Sequence, residues 1–277
     1  MIEAAPPWGA LAPNALERTI LAATQAAPPR GLQRTLASAA RGVMVAWRRG
    51  PVDVEVYGFK ARLHHAENLA DKRALFYPTH WDATERAILA ELIRPGFRFL
   101  DVGASTGLYS MFVAARAGAD ALILAVEPQP EVKDWLGFNI AANGFTTIRH
   151  VAAAAAAGRG TAMLTLSARN RGAASIAQNR ETSGERAIEV PTIGLLDLMD
   201  EHGVARADAL KIDIEGAEDQ VLVPFFATCP KDRLPGAIVM ESNGPRWRVD
   251  CVELARRSGY VVRATTRMNT VLSRDPA

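Results

Sequence analysis

From Phe97 onward, short apolar runs alternate with longer helical patterns, and few architectures accommodate that alternation. The candidate strands are 98–102, 121–127, 147–153, 209–214 and 237–241. Each is short, apolar and bounded by glycine, proline or an acidic residue, as strands buried on both faces require. Helices are expected to begin near Gly107, Pro130, Gly194, Ala217 and Trp247. Strand and helix in strict succession predict an α/β fold with a mostly parallel sheet covered on both sides. The end breaks the pattern: 260–265 and 270–273 read as two strands joined by a short turn with no helix between them. The sheet should therefore finish in an antiparallel hairpin. The polar, Gly/Asn/Ser-rich stretch 161–191 reads as a hairpin and loop inserted after the third strand.

Residues 1–50 follow different rules. Five prolines punctuate two helical patterns, 14–26 and 32–47, and the second repeats Leu32, Leu36, Ala40, Val43 and Trp47 at helical spacing. Between Arg18 and Val52 no acidic residue occurs, whereas Arg18, Arg30, Arg34, Arg41, Arg48 and Arg49 are all basic. Such a helix can lie on an anionic membrane surface, pack on the main domain, or join two chains as a homodimer. Residues 51–96 predict a β-hairpin, with 52–56 alternating and Gly58 turning into 60–64. A helix over 85–93 follows, capped by Asp82 or Thr84 and ended by Pro95-Gly96.

Composition narrows the classes. A net charge of +2 and 6 % aromatics do not furnish the dense basic face of a nucleic-acid partner. Cys229 and Cys251 have no metal-ligand spacing and suit two free thiols in a reducing compartment. With neither a secretory leader pattern nor a long apolar span, a soluble cytoplasmic protein is expected.

The segment 99–110 (FLDVGASTGLYS) is a buried strand, a glycine turn and a helix start. A dinucleotide loop would carry glycine at Ser105 so that pyrophosphate could approach, and a phosphate loop would need G-K-[ST] where Leu108 stands. S-adenosylmethionine has no phosphate and fits such a loop. Asp101 can attract its ammonium, and the amides of Gly103, Ala104, Ser105, Thr106 and Gly107 can meet its carboxylate. Glu127 ends the next strand and can take two ribose hydroxyls, and Pro128 delays the following helix. In 210–218 (LKIDIEGAE), Asp213 and Glu215 lie at the carboxyl end of a buried strand, two residues apart and on one side if the strand persists. Glu241 ends the fifth strand and joins the same rim. Glu215 or Glu218 could instead serve the following helix N-terminus.

These segments resemble the FkbM family of S-adenosylmethionine-dependent methyltransferases. The resemblance rests on 100–110, on Val126-Glu127-Pro128, on the distinctive 210–218, and on 170–175 (NRGAAS). It covers roughly 75 to 277. It implies a class I methyltransferase, Rossmann-like fold, with a mostly parallel seven-stranded sheet and an antiparallel last strand. To this the chain adds an N-terminal helical extension (1–50) and a hairpin with lid (51–96) before the core (97–277). It also implies O-methylation of a sugar, glycolipid or secondary-metabolite hydroxyl. Ser105 stands where family members often carry Asn. The alanines from Ala153 leave adenine recognition to backbone groups and apolar packing. The proton of the acceptor hydroxyl would go to Asp213, with Glu215, Glu241 and His80 of a lid as alternatives. No resident metal is expected, although an ion held by Asp213, Glu215 and Glu241 could acidify the hydroxyl instead. A nicotinamide-dependent oxidoreductase and a non-catalytic cofactor-binding subunit are the competing readings of the fold.

Overall fold

A computed structural model describes residues 5–26, 31–166, 175–176, 186–242 and 246–274. The predicted alternation folds into a seven-stranded sheet of order β12-β13-β11-β10-β3-β4-β5. Its strands are β3 (Arg98–Val102), β4 (Leu122–Val126), β5 (Ile148–Val151), β10 (Ala209–Ile212), β11 (Ala237–Glu241), β12 (Val261–Thr265) and β13 (Asn269–Ser273). The run from β11 through β10, β3 and β4 to β5 is parallel, while β13 pairs antiparallel with both β11 and β12. The terminal hairpin is thus as the sequence predicts.

Helices α5 (Leu108–Ala117), α6 (Pro130–Asn143), α7 (Leu195–Glu201), α8 (Glu218–Thr228) and α9 (Cys251–Arg257) connect these strands. The last starts four residues later than expected, because Asp250 rather than the Trp247 region caps it, accepting from the amides of Val252 and Glu253. Each face of the sheet has its own buried cluster. Phe97, Phe99, Met111 and Leu136 belong to one, and Leu100, Leu124, Leu210 and Ile238 to the other. Alternate residues of β3 feed opposite clusters, which is why its run is continuously apolar. From β3 the chain moves outward to β4 and β5, and from β10 it moves the other way. The crevice above β3 and β10 is therefore the switch point where open α/β sheets bind ligands.

The inserted stretch forms a separate small sheet of order β6-β9-β7-β8. Its members are β6 (Ala154–Ala155), β7 (Gly160–Leu166), β8 (Ser175–Ile176) and β9 (Arg186–Ile193). The 170–175 patch lies outside the described residues except where Ser175 opens β8.

Ahead of the core, β1 (Val52–Val56) and β2 (Phe59–Leu63) form the predicted hairpin. Its two-residue turn has Tyr57 and Gly58 both at positive φ (52° and 89°), the geometry that matches strand twist. Arg62 and Asp53 form a buried ion pair across it, and Arg62 also donates to the carbonyls of Pro6 and Pro7. That pair ties the N-terminal segment to the body. Helices α1 (Ala15–Ala26) and α2 (Leu32–Trp47) pack against each other. Among the described side chains of α2, Ala37 and Met44 are buried, whereas Leu32, Leu36, Val43 and Trp47 are all more than half exposed. Two of the arginines turn inward, while Arg18 and Arg49 stay exposed. Arg48 pairs with Glu17 and Arg41 donates to Tyr77 Oη. Among the described residues no helix is long and apolar enough to cross a membrane.

Helices α3 (Leu69–Phe76) and α4 (Ala83–Leu92) lead into the core. Asp82 precedes α4 but makes no side-chain cap, because it is left-handed (φ 41°) and its carboxylate accepts from Tyr109 Oη at 3.0 Å.

Candidate active site

Two loops meet at the switch point. After β3 the chain turns at Gly103 (φ 75°), and after β10 it turns through Asp213 to Gly216. The amides of Gly103 and Ala104 both donate to Val126 O, and Asp213 N donates to Val102 O. A Cβ on Gly103 would lie 1.9 Å from the Asp213 carbonyl oxygen, so only glycine permits the approach. Ser105 is also left-handed (φ 51°), the conformation its place in a glycine loop demands and one that Asn adopts readily.

Side chains of α3, which precedes the core, and of α6 within it clamp this loop. Asn68, the cap of α3, donates to Ser105 Oγ at 2.8 Å, and Thr106 Oγ1 donates to the buried Asp71 at 2.5 Å. From α6, Asn139 donates to Thr106 O while accepting from Arg62 N of β2. The glycine turn is thereby held at three points, two of them from α3 and its cap and one from α6.

The Lys211–Glu218 segment is built around two buried charges. Lys211 Nζ lies 3.3 Å from Asp213 Oδ2 and donates to Gly103 O at 3.2 Å. Burial works against its ammonium, but Asp213 and Asp101 outweigh it and hold the pKa above the usual lysine value. Glu218 accepts from the amides of Ile214 and Gly216 through one oxygen and from Trp247 Nε1 at 2.7 Å through the other. Of the two helix-serving candidates, Glu218 thus braces the turn and leaves Glu215 to the cavity. The strand does not persist to Glu215, so alternation is not what aligns it with Asp213. Glu215 is instead left-handed (φ 58°), and it lines the same cavities as Asp213. Burial, then repulsion from Asp213, pushes the Glu215 carboxyl up to about 7.

Two cavities flank Gly103, and Gly103, Asp213 and Glu215 line both. The first is acidic: Asp82, Asp213, Glu215 and Glu241 line it with the rings of Trp81 and Tyr109. The second is mostly apolar, with Val126, Ala154, Ala155, Leu164 and Ile214 around Glu127 and Pro128. Glu127 is nearly buried and accepts from the amides of Ser105 (3.0 Å) and Gln129 (2.9 Å), and burial pushes it up to about 7.

The remaining sequence candidates are distributed unevenly. Ala104, Ser105 and Thr106 line the acidic cavity, but the amides of Gly103, Ala104, Ser105 and Gly107 already donate within the protein. They are not the free carboxylate cradle expected of them. Asp101 lines neither cavity. It is fully buried, one oxygen accepts from Ser110 N and Oγ, and the other has no hydrogen-bond partner. Its work is to fix the start of α5. Ala153 is likewise replaced at the apolar wall by Ala154 and Ala155. His80 is exposed beside Thr79 and lines neither cavity; from the same turn Trp81 and Asp82 do. Among the described residues no three metal-ligating side chains converge, so Asp213, Glu215 and Glu241 do not make a ligand set. Cys229 and Cys251 are buried free thiols.

Sequence reasoning missed Asn68, Arg73, Trp81, Asp82 and Asn269, which all line the acidic cavity, and the positioning role of Lys211. Only Lys211 had a local signal, as a lysine inside an otherwise apolar strand.

The profile of the methyltransferase FkbM domain matches residues 101–251, which span both loops and both cavity-lining carboxylates of the Asp213 turn. No curated protein matches the sequence. Solved structures that superpose include a tRNA m1G37 methyltransferase from M. jannaschii (12 % identity, 83 % of this chain, 58 % of that one, TM-score 0.42). An rRNA methylase from Streptococcus thermophilus gives 10 % identity, 69 % and 94 % coverage and a TM-score of 0.40. A TehB-like SAM-dependent methyltransferase from Corynebacterium glutamicum gives 14 %, 69 %, 87 % and 0.37. At this degree of superposition none of them speaks to the acceptor.

Proposed function

Because the chain belongs to the methyltransferase FkbM domain family, we propose that it is an O-methyltransferase acting on a hydroxyl of a sugar, glycolipid or secondary metabolite. The cofactor, S-adenosylmethionine, replaces the nicotinamide reading that the fold alone leaves open.

The cavities suit that cofactor. The apolar wall of Ala154, Ala155, Leu164 and Ile214 can take an adenine, and Glu127 beside it can take ribose hydroxyls once its two amide donors share it. The acidic cavity, joined at Gly103 and Asp213, can take the amino-acid end and the acceptor. When bound, S-adenosylmethionine supplies a methyl group on an electrophilic sulfonium.

The observation that carries the acceptor class is the concentration of carboxylates at Asp82, Asp213, Glu215 and Glu241. Carboxylates accept hydrogen bonds from hydroxyls and repel polyanions, which favours a hydroxyl-rich acceptor over nucleic acid. Glu215 takes the acceptor's proton, since a carboxyl pushed to about 7 combines a useful ionised fraction with enough basicity. Asp213, paired with Lys211, positions the turn and holds negative charge at the mouth of both cavities. Trp81 and Tyr109 exclude water from one wall.

The test is transfer of labelled methyl from S-adenosylmethionine into fractionated saccharides, glycolipids and small metabolites, with RNA and DNA in parallel. Label in a methyl ether supports the reading. Label confined to nucleic acid, nitrogen or carbon sinks it, and transfer to no fraction favours a non-catalytic subunit.

A further inference from the structure

Arg73 lies in the second turn of α3 and lines the acidic cavity. Its guanidinium donates to Met268 Sδ at 3.9 Å, and among the described residues no carboxylate lies within ion-pair distance. The other cation of the cavity, Lys211, is already committed to Asp213 and to Gly103 O. The same helix grips the glycine loop at two points, Asn68 to Ser105 and Asp71 to Thr106, so its position relative to the loop is fixed.

The amino-acid end of S-adenosylmethionine is a zwitterion. Four of the five loop amides expected to receive its carboxylate, those of Gly103, Ala104, Ser105 and Gly107, are spent here on Val126, Glu127 and Ala104. Its ammonium has carboxylates to meet at Asp213 and Glu241, whereas its carboxylate needs a cation, and Lys211 is already committed. We propose that Arg73 is that partner: a guanidinium from outside the matched domain anchors the cofactor's carboxylate. This rests on the reading of the cavities as the S-adenosylmethionine site. A guanidinium suits the task because its planar fork can meet both carboxylate oxygens at once.

Calorimetric titration of the full chain with S-adenosylhomocysteine and with 5′-methylthioadenosine, which lacks the amino-acid end, tests the assignment without an acceptor present. In Arg73→Met, S-adenosylhomocysteine should bind about 10- to 100-fold more weakly, with 5′-methylthioadenosine unchanged. Arg73→Lys should fall between the two. Unchanged S-adenosylhomocysteine affinity in Arg73→Met overturns the proposal and leaves Arg73 to an anionic acceptor. Equal loss of both ligands also overturns it, by marking Arg73 as structural. If the unaltered chain binds neither ligand, the cofactor site itself has been misplaced and the proposal falls with it.

Discussion

The Asp213 carbonyl oxygen occupies the space that a side chain at Gly103 would need, 1.9 Å from where its Cβ would be. The two loops of the switch point are thus locked together through backbone. Gly103→Ala must either part the loops or force Gly103 out of its positive φ. We expect a loss of about 2–4 kcal/mol in stability together with lost cofactor affinity, read by denaturant unfolding and calorimetry. An alanine variant that is as stable as the parent and binds S-adenosylhomocysteine equally well would refute the locking.

Lys211 is the buried counter-charge to Asp213, and Asp101 also acts on it. Lys211→Met leaves those carboxylates without compensation, so stability should fall by about 3 kcal/mol. Lys211→Met/Asp213→Asn should recover part of the loss. Additive losses in the double variant, measured by urea unfolding, would show that the pair is not coupled.

If Glu215 accepts the acceptor's proton, activity needs its ionised form. The apparent kcat/KM should rise as pH approaches about 7 and level off above it, because burial and Asp213 push the carboxyl to that value. Glu215→Gln should lower activity and abolish this limb. An unmoved limb in the variant transfers the role to another group.

Stability has its own pH dependence. Burial pushes Asp71 and Glu127 up to about 7 in the folded chain, above the usual carboxylate range they resume on unfolding. Between pH 5 and about 7 the unfolded chain therefore binds fewer protons than the folded one, and these two groups make stability fall as pH rises. Each contributes on the order of 2 kcal/mol. Unfolding free energy should be higher at pH 5 than at about pH 7.5, with a shallower slope in Glu127→Gln. A slope that Glu127→Gln leaves unchanged would clear Glu127 of the effect.

His80 stands exposed outside both cavities. His80→Ala should alter kcat/KM by no more than about twofold and stability by less than about 0.5 kcal/mol. A hundredfold loss would return the histidine to the catalytic apparatus.

The sequence by itself determined the sheet. Short apolar strands, glycine and proline punctuation and the helix-free final stretch act within a few residues of one another, so the parallel core and terminal hairpin could be read directly. It also determined which turns face the crevice, since Gly103–Gly107, Glu127 and Asp213–Glu218 all follow strand ends. Tertiary structure decided how each charge is used. Asp101 is sealed behind Ser110, Glu218 is spent on the turn it follows, and the loop amides pair with Val126 and Glu127. The same level of structure brought Asn68, Arg73 and Asp82 to the cavity, and left Leu32, Leu36, Val43 and Trp47 in water despite a perfect core-like spacing. Spacing states that a helix has an apolar side, but only the surrounding chain settles whether anything covers it. A carboxylate's role likewise depends on which donors reach it, and those donors lie as far as tens of residues away in sequence.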